Sequence, residues 1–406
     1  MEILPILSAL RRNKVGATLV ALQIALTLAV VANALSIIQN HWSNMRRPSG
    51  MDEENIFTLQ NHWVGQPENL RASIEADMAA LRGIPGVVDA AATNAYPLLG
   101  GGMGWRISTK PDMRDGPSAS TTLYLQTAHG LDAMGLKLLG GRWFRAAEIG
   151  EWGMNLKASP SAVLTLALAS KLFPTGNPLG QVIYLVGIDS PVQVIGVVDR
   201  AQAAAPAPAF GDPRTEYSTF LPFQFVNNGL AYVVRTRPGQ LLAAMRATPD
   251  RLSRITRQRV IDLLGPFSET RTRAYRIQKA ESRLLGAVVG LLLAITAFGT
   301  LGLTMYWVSQ RRRHIGLRRA LGARRADILR YFHSENLLIA GTGVLLGVAG
   351  GLGANLWMAA HLGTARMSPA YIGTGAVMVL VLSQLAVIWP AFRAASIPAS
   401  LAARGL

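Results

Sequence analysis

The chain of 406 residues contains no cysteine. That absence excludes disulfide frameworks, cysteine nucleophiles and thiolate metal sites, and a cysteine-free chain fits any compartment. Charge is scarce as well. Asp, Glu, Lys and Arg make up 16% of the residues, against about 25% in an ordinary soluble domain. Motifs that carry chemistry are also missing. No Gly-Lys dipeptide occurs, so the sequence holds no P-loop of the G-x-x-x-x-G-K-[ST] type. It has no H-E-x-x-H and no G-x-S-x-G nucleophile elbow. The six histidines (His41, His62, His129, His314, His333 and His361) do not fall at metal-ligand spacing. His41 and His361 flank apolar runs, which places them at a membrane interface.

What is present is apolar. Half of the residues are hydrophobic, and many of them collect in four runs without a single charge: 15–39, 284–310, 336–362 and 370–392. About 20 apolar residues suffice for a helix to cross the hydrocarbon core. Buried helices of a soluble core usually interrupt such runs with a polar face. The first run is too long for a signal-peptide core and lacks a small-x-small cleavage site, so it reads as an uncleaved anchor. No run contains Asp, Glu, Lys or Arg, so no intramembrane proton relay or ion path is visible.

The net charge of +17 divides unevenly along this plan. Residues 309–335 carry eight arginines against Asp327 and Glu335, whereas the loop between the third and fourth runs carries only Arg366. The positive-inside rule places 309–335 and both termini in the cytoplasm. Residues 40–283 then form one large extracytoplasmic insert, with 26 basic against 20 acidic residues. Nucleic-acid binding needs a concentrated basic face with groove-reading or stacking elements. The dense charge here borders a membrane instead. The expected fold class is an α-helical membrane protein with four transmembrane helices. A large α/β periplasmic domain is inserted between the first and second of them.

Within the insert, 73–81 reads as a helix with Ile74, Met78 and Leu81 on one stripe. Residues 86–93, 184–186, 192–198 and 232–235 read as strands, with Asp189, Ser190 and Pro191 as a turn. Gly100, Gly101, Gly102 and Gly104 mark a loop, and 201–213 reads as an Ala/Pro-rich loop or linker. From 251 to 283 the pattern is charged and helix-favouring, broken by Gly265-Pro266, and the part from Arg271 to Arg283 is expected to run as a helix continuously into the second span. Its end, 267–283 with Arg271, Tyr275, Ile277 and Lys279, is either a stalk that transmits movement or a solvated helix that anchors the domain. In the third span Gly343, Gly347 and Gly351 form a double small-xxx-small face. Such a face suits packing within the bundle or dimerisation. Asn33 and Asn355 are placed to hydrogen-bond between helices.

The most specific feature is the arginine-rich segment 311–330. Ile315, Leu317, Leu321 and Ile328 are apolar anchors ringed by Arg318, Arg319, Arg324 and Arg325. Such an element suits a groove on a cytosolic partner or an anionic lipid surface. Residues 311–336, RRRHIGLRRALGARRADILRYFHSEN, resemble the loop after the second span in MacB/FtsX-like permeases of ABC transporters, with His314 at a usually acidic position. GLKLLGGRWF (135–144), ALASKLFPTGNPLGQVI (167–183), VQVIGVVDR (192–200) and PAFRAASIPASLAARGL (390–406) are similar to further motifs of that family.

The resemblance implies a chain that is not itself an enzyme and binds no cofactor directly, with ATP and Mg held by an ABC ATPase dimer expected on a separate polypeptide. Ile315, Gly316, Leu317, Arg318, Arg319, Ala320, Leu321 and Gly322 would couple to that ATPase. Other implied partners are a second permease copy or paralogue, a periplasmic adaptor, an outer-membrane channel and membrane lipid, with no nucleic acid. The implied location is the bacterial inner membrane. The implied work is export of a peptide, antibiotic or similar compound, or alternatively control of a cell-wall hydrolase or release of lipoproteins.

The expected division is 1–14 cytoplasmic, 15–39 span, 40–266 periplasmic porter/sabre-like domain, 267–283 stalk and 284–310 span. It continues with 311–335 coupling loop, 336–362 span, 363–369 periplasmic loop, 370–392 span and 393–406 cytoplasmic tail. The porter would be divided between about 52–93 and 126–240.

Overall fold

The computed structural model describes residues 14–65, 67–112, 114–152, 161–205, 213–362 and 367–396. The tail beyond 396 and most of the first fourteen residues lie outside them. The chain divides into two compact units, Met45–Ile277 and the remainder.

The described chain opens with α1 (Lys14–Arg46). The first unit then contains β1 (Ile56–Trp63), α2 (Leu70–Arg82), β2 (Val87–Thr93), β3 (Met103–Ser108), β4 (Ser118–Leu125), α3 (Gly130–Met134), β5 (Leu138–Gly141), β6 (Gly150–Glu151), β7 (Ser161–Thr165) and α4 (Leu166–Leu172). It continues with β8 (Val182–Leu185), β9 (Ile188–Val198), β10 (Ser218–Leu221), β11 (Phe223–Gln224), β12 (Gly229–Thr236), α5 (Leu241–Ile255), β13 (Arg259–Pro266) and α6 (Phe267–Ala274).

Two lobes result. An antiparallel sheet in the order β13-β1-β12-β2 draws on both ends of the unit. The segment between β2 and β12 builds a mixed sheet in the order β5-β9-β7-β10-β4-β3-β8, and β8 also pairs with β9, which closes the ring into a barrel. The four-stranded sheet is therefore assembled from 56–93 and 229–266, while most of 126–240 belongs to the barrel.

Both faces of the four-stranded sheet are covered. Tyr232 and Val234 of β12 pack with Ile74, Met78 and Leu81 of α2 and Leu252 of α5. Ala231 and Val233 face Tyr96, Tyr124, Phe220 and Phe267. Burial on both sides explains why β12 reads as a continuous apolar run. Helix α2 starts where Asn69 Oδ1 accepts the amide of Ala72 at 2.9 Å. Its inward face also carries Asp77, which is fully buried. Arg259 of β13 meets Asp77 with both guanidinium ends at 2.8 and 2.9 Å, and Tyr232 donates its hydroxyl to the same carboxylate at 2.7 Å.

Several local expectations change. The β8–β9 turn falls at Val186-Gly187, because Gly187 takes φ +77°. Residues 189–191 instead extend β9, with Pro191 beside an irregularity in the pairing. Gly104 sits inside β3. The stalk does not run continuously into the span, because α6 stops at Tyr275 before a new helix begins, and the helix-favouring stretch before it ends at Ile255, where β13 follows as an edge strand.

The second unit joins α1 to α7 (Arg276–Gln310), α8 (Arg312–Ala320), α9 (Arg325–Leu362) and α10 (Pro369–Ala395). Four of its helices are long and apolar enough to cross a membrane. The 33 residues of α1 extend about 50 Å, well beyond the ~30 Å hydrocarbon core. Val20, Ile24, Trp307, Ile339 and Val379 bring all four long helices into one core.

Candidate coupling site

Helix α8 and its turn form the arginine-rich element. The helix ends in a Schellman motif: Ala323 N donates to Arg318 O, Gly322 N donates to Arg319 O, and Gly322 adopts φ +97°. A left-handed residue at that position favours glycine. Helix α9 begins immediately afterwards, with Asp327 accepting the Arg324 amide at 2.9 Å. The expected loop 311–335 is thus a short helix, a tight turn and the first turns of the third span.

The apolar residues of this element divide by face. Ile315 and Gly316 are buried, and Ile315 packs with Val308, Ile328, Phe332, Val387 and Ala391. Leu317 and Leu321 point the other way, 54% and 80% exposed. At i and i+4 they are neighbours. Arg318, Ala320 and Gly322 are exposed, and Arg319 is half-buried. Arg318 lies over the Tyr331 ring at 5.1 Å.

Beneath α8 sits a partner absent from the sequence reading. Glu335 is 1% exposed and receives Arg311 Nη1 on both carboxylate oxygens, at 3.0 and 2.9 Å. Arg311 also donates to the Tyr331 hydroxyl at 3.2 Å and lies over Trp307. A buried pair of this kind leaves an uncompensated charge if either member is removed. It fastens the start of α8 to α9. The only sequence signal for it is an acid twenty-four residues after an arginine.

The proposed stalk residues separate. Arg271 donates to the two oxygens of Glu53 and to the carbonyls of Met45 and Arg47. Burial pushes the Glu53 carboxyl up, but hydrogen bonds from Arg271 and Ser49 outweigh it and leave the group below the ordinary carboxylate value. Tyr275 is buried and donates to Gln202 Oε1 at 3.1 Å, while Gln202 Nε2 donates to Arg47 O. The two chain ends of the first unit are therefore bound to each other through Arg271, Glu53, Gln202 and Tyr275. Ile277 and Lys279 are exposed and take no part.

The glycine face lies inside the second unit. A Cβ on Gly343 would come within 2.6 Å of Ala21 O and one on Gly347 within 2.8 Å of Ala25 O, whereas at Gly351 the nearest atom is 3.5 Å away. Two hydrogen bonds between α1 and α7 come from residues the sequence reading passed over. Thr27 and Thr296 pair at 2.8 Å, and Gln23 donates to Ile295 O at 3.0 Å. Asn33 instead donates to Ala29 O of its own helix, and Asn355 accepts the Met367 amide just before α10.

Comparison with known proteins follows the same two units. Residues 17–250 match the model of the MacB-like periplasmic core domain, and 286–399 match that of the FtsX-like permease C-terminal region. The chain belongs to the MacB/FtsX-like family of ABC transporter permeases. Among its relatives is the pyoverdine export ATP-binding/permease protein PvdT of Pseudomonas putida, 31% identical over 55% of this chain and 35% of that protein. The macrolide export ATP-binding/permease protein MacB of Rhodospirillum rubrum is 29% identical over 57% of this chain and 37% of the relative. The chain thus spans about a third of the length of these relatives. Among solved structures, the periplasmic region of MacB from Actinobacillus actinomycetemcomitans is 14% identical, covering 54% of this chain and 92% of its own, with a TM-score of 0.34. In this MacB/FtsX-like permease, the matched region 17–250 carries the periplasmic core domain.

Proposed function

We propose that this permease couples ATP hydrolysis by an ABC ATPase dimer to movement of its periplasmic domain, and that it works in the bacterial inner membrane with both termini in the cytoplasm. Helix α8 and the 321–324 turn take up the ATPase movement. Leu317 and Leu321 seat in the partner, and Arg318 supplies charge at the rim. The observation that carries the reading is the exposed Leu317/Leu321 pair on an arginine-rich helix held from below by Ile315 and the Arg311–Glu335 pair. An unbraced helix would bend away under load.

Family membership supports a second permease copy as partner. Relatives named for pyoverdine and macrolide export support export of a peptide, antibiotic or similar compound through a periplasmic adaptor and an outer-membrane channel. Replacing Leu321 with Glu puts a charge where an apolar contact is needed and leaves the buried face untouched. We expect the variant to fold normally and to lose at least tenfold in ATPase co-purification and in transport. Wild-type co-purification together with wild-type transport would sink the docking role.

A further inference from the structure

The periplasmic unit holds a half-open cavity of about 190 Å³ that plays no part in the coupling reading. It lies where α2 and β2 of the four-stranded sheet meet the segment after β4 and the short strand β11. Its apolar wall is Ile74, Met78 and Ala92. Its polar lining includes Arg82, His129 and Gln224.

The polar groups are incompletely matched among themselves. Asp89 serves two cationic or potentially cationic neighbours. Arg82 Nε donates to Oδ1 at 2.9 Å and His129 Nδ1 lies 2.9 Å from Oδ2. The carboxylate only accepts, so Nδ1 carries the hydrogen, and Nε2, an acceptor in the neutral ring, has no hydrogen-bond partner among the described residues. Arg82 spends Nε and Nη2 on Asp89 and Ala90 O, and its Nη1 makes no hydrogen bond among the described residues. Glu75, at the same cavity, is already paired with Arg71 at 3.0 Å. Gln224 is 8% exposed, and its side-chain amide, which keeps some contact with solvent, has no hydrogen-bond partner among the described residues. An amide that faces the cavity without a protein partner can donate to or accept from a ligand there.

We propose that this cavity binds the carboxylate of a small organic acid with an apolar body, such as an N-acylated apolar amino acid. The carboxylate lies against Arg82 with the Gln224 amide as a further donor, and the N–H of the acylated amine donates to His129 Nε2. The apolar body packs on Ile74, Met78 and Ala92. The cavity has room for about six waters, or for an acid of roughly ten heavy atoms. Because two lobes supply the walls, occupancy ties the α2 side of the four-stranded sheet to the barrel side.

The test uses the full chain in detergent, titrated with N-acetyl-L-leucine and with N-acetyl-L-leucinamide and followed by ligand-observed NMR. The two probes share an apolar body and differ in the carboxylate. We expect the acid to bind at least tenfold more tightly than the amide. His129→Leu removes the acceptor from a half-exposed side chain and Gln224→Leu keeps the bulk of a buried one. Each should weaken acid binding at least fivefold, with the thermal unfolding of the protein unchanged. Equal binding of acid and amide, wild-type affinity in both variants, or no binding of the acid would each overturn the proposal. None of these outcomes depends on ATPase docking, so failure here leaves the coupling reading intact.

Discussion

At the scale of single residues, buried charge decides more than its abundance suggests. Arg259 and Asp77 are 2% and 0% exposed at their side chains, and Asn61 and Tyr232 complete the network. Removing one member of a buried pair typically costs about 3–5 kcal/mol, because the other charge stays behind without compensation. Arg259→Met should therefore destabilise the periplasmic unit by about that amount in chemical denaturation of the full chain. Asp77→Asn combined with Arg259→Met should cost less than Arg259→Met alone. If Arg259→Met costs under about 1 kcal/mol, well below that range, the pair does not hold β13 in place. Arg259 and Glu335 share a reason for being illegible in the sequence. Each looks like an ordinary surface charge until the fold places its partner, 182 residues away for Arg259 and 24 for Glu335. Ile315, Leu317 and Leu321 were legible as apolar anchors of an arginine-rich segment. Their division into an inward and an outward face depends on helical phase and on what α9 and α10 bring beneath.

At the scale of elements, the long uncharged helices were read nearly whole, since length and missing charge suffice. Helix α2 and strand β12 were read from their patterns too, with ends that shifted by a few residues. Strand β13 was missed for a physical reason. It pairs only with β1, is partly exposed, carries Arg259 and Asp262, and contains Leu263 at φ +53°, so no clean alternation survives. The glycine face of the third span shows how far small residues alone can be read. Their spacing permits close approach, and the structure supplies the neighbour, which is α1. A side chain at Gly347 would meet Ala25 backbone atoms at 2.8 and 3.0 Å, while one at Gly350 would meet nothing within 4 Å. Backbone cannot rotate out of the way as a side chain can. Gly347→Leu should force α9 off α1 and give a broadened, aggregating profile in size-exclusion chromatography. Gly350→Leu should elute like the wild type. Identical profiles for the two variants would remove the α1–α9 contact as a determinant of folding.

At the scale of the whole molecule, the absence of cysteine becomes a tool. Every introduced thiol is unique, so sidedness can be read one position at a time. The orientation argument rests on eight arginines in 309–335 against one in the opposite short loop. On the proposed orientation, α8 and the periplasmic unit are expected on opposite sides of the membrane. Val64 is 60% exposed and lies in the periplasmic unit, and Arg312 is exposed at the start of α8. With the outer barrier permeabilised and the inner membrane intact, a membrane-impermeant maleimide should label Val64→Cys and leave Arg312→Cys untouched. After the inner membrane is broken, both should react. Labelling of both before lysis would mean that fewer spans cross than the four long helices allow. Labelling of Arg312→Cys alone would invert the chain, turning the exposed Leu317/Leu321 pair away from any cytosolic ATPase. The expected pattern puts that pair on the side proposed for the ATPase and the cavity beside His129 on the opposite side.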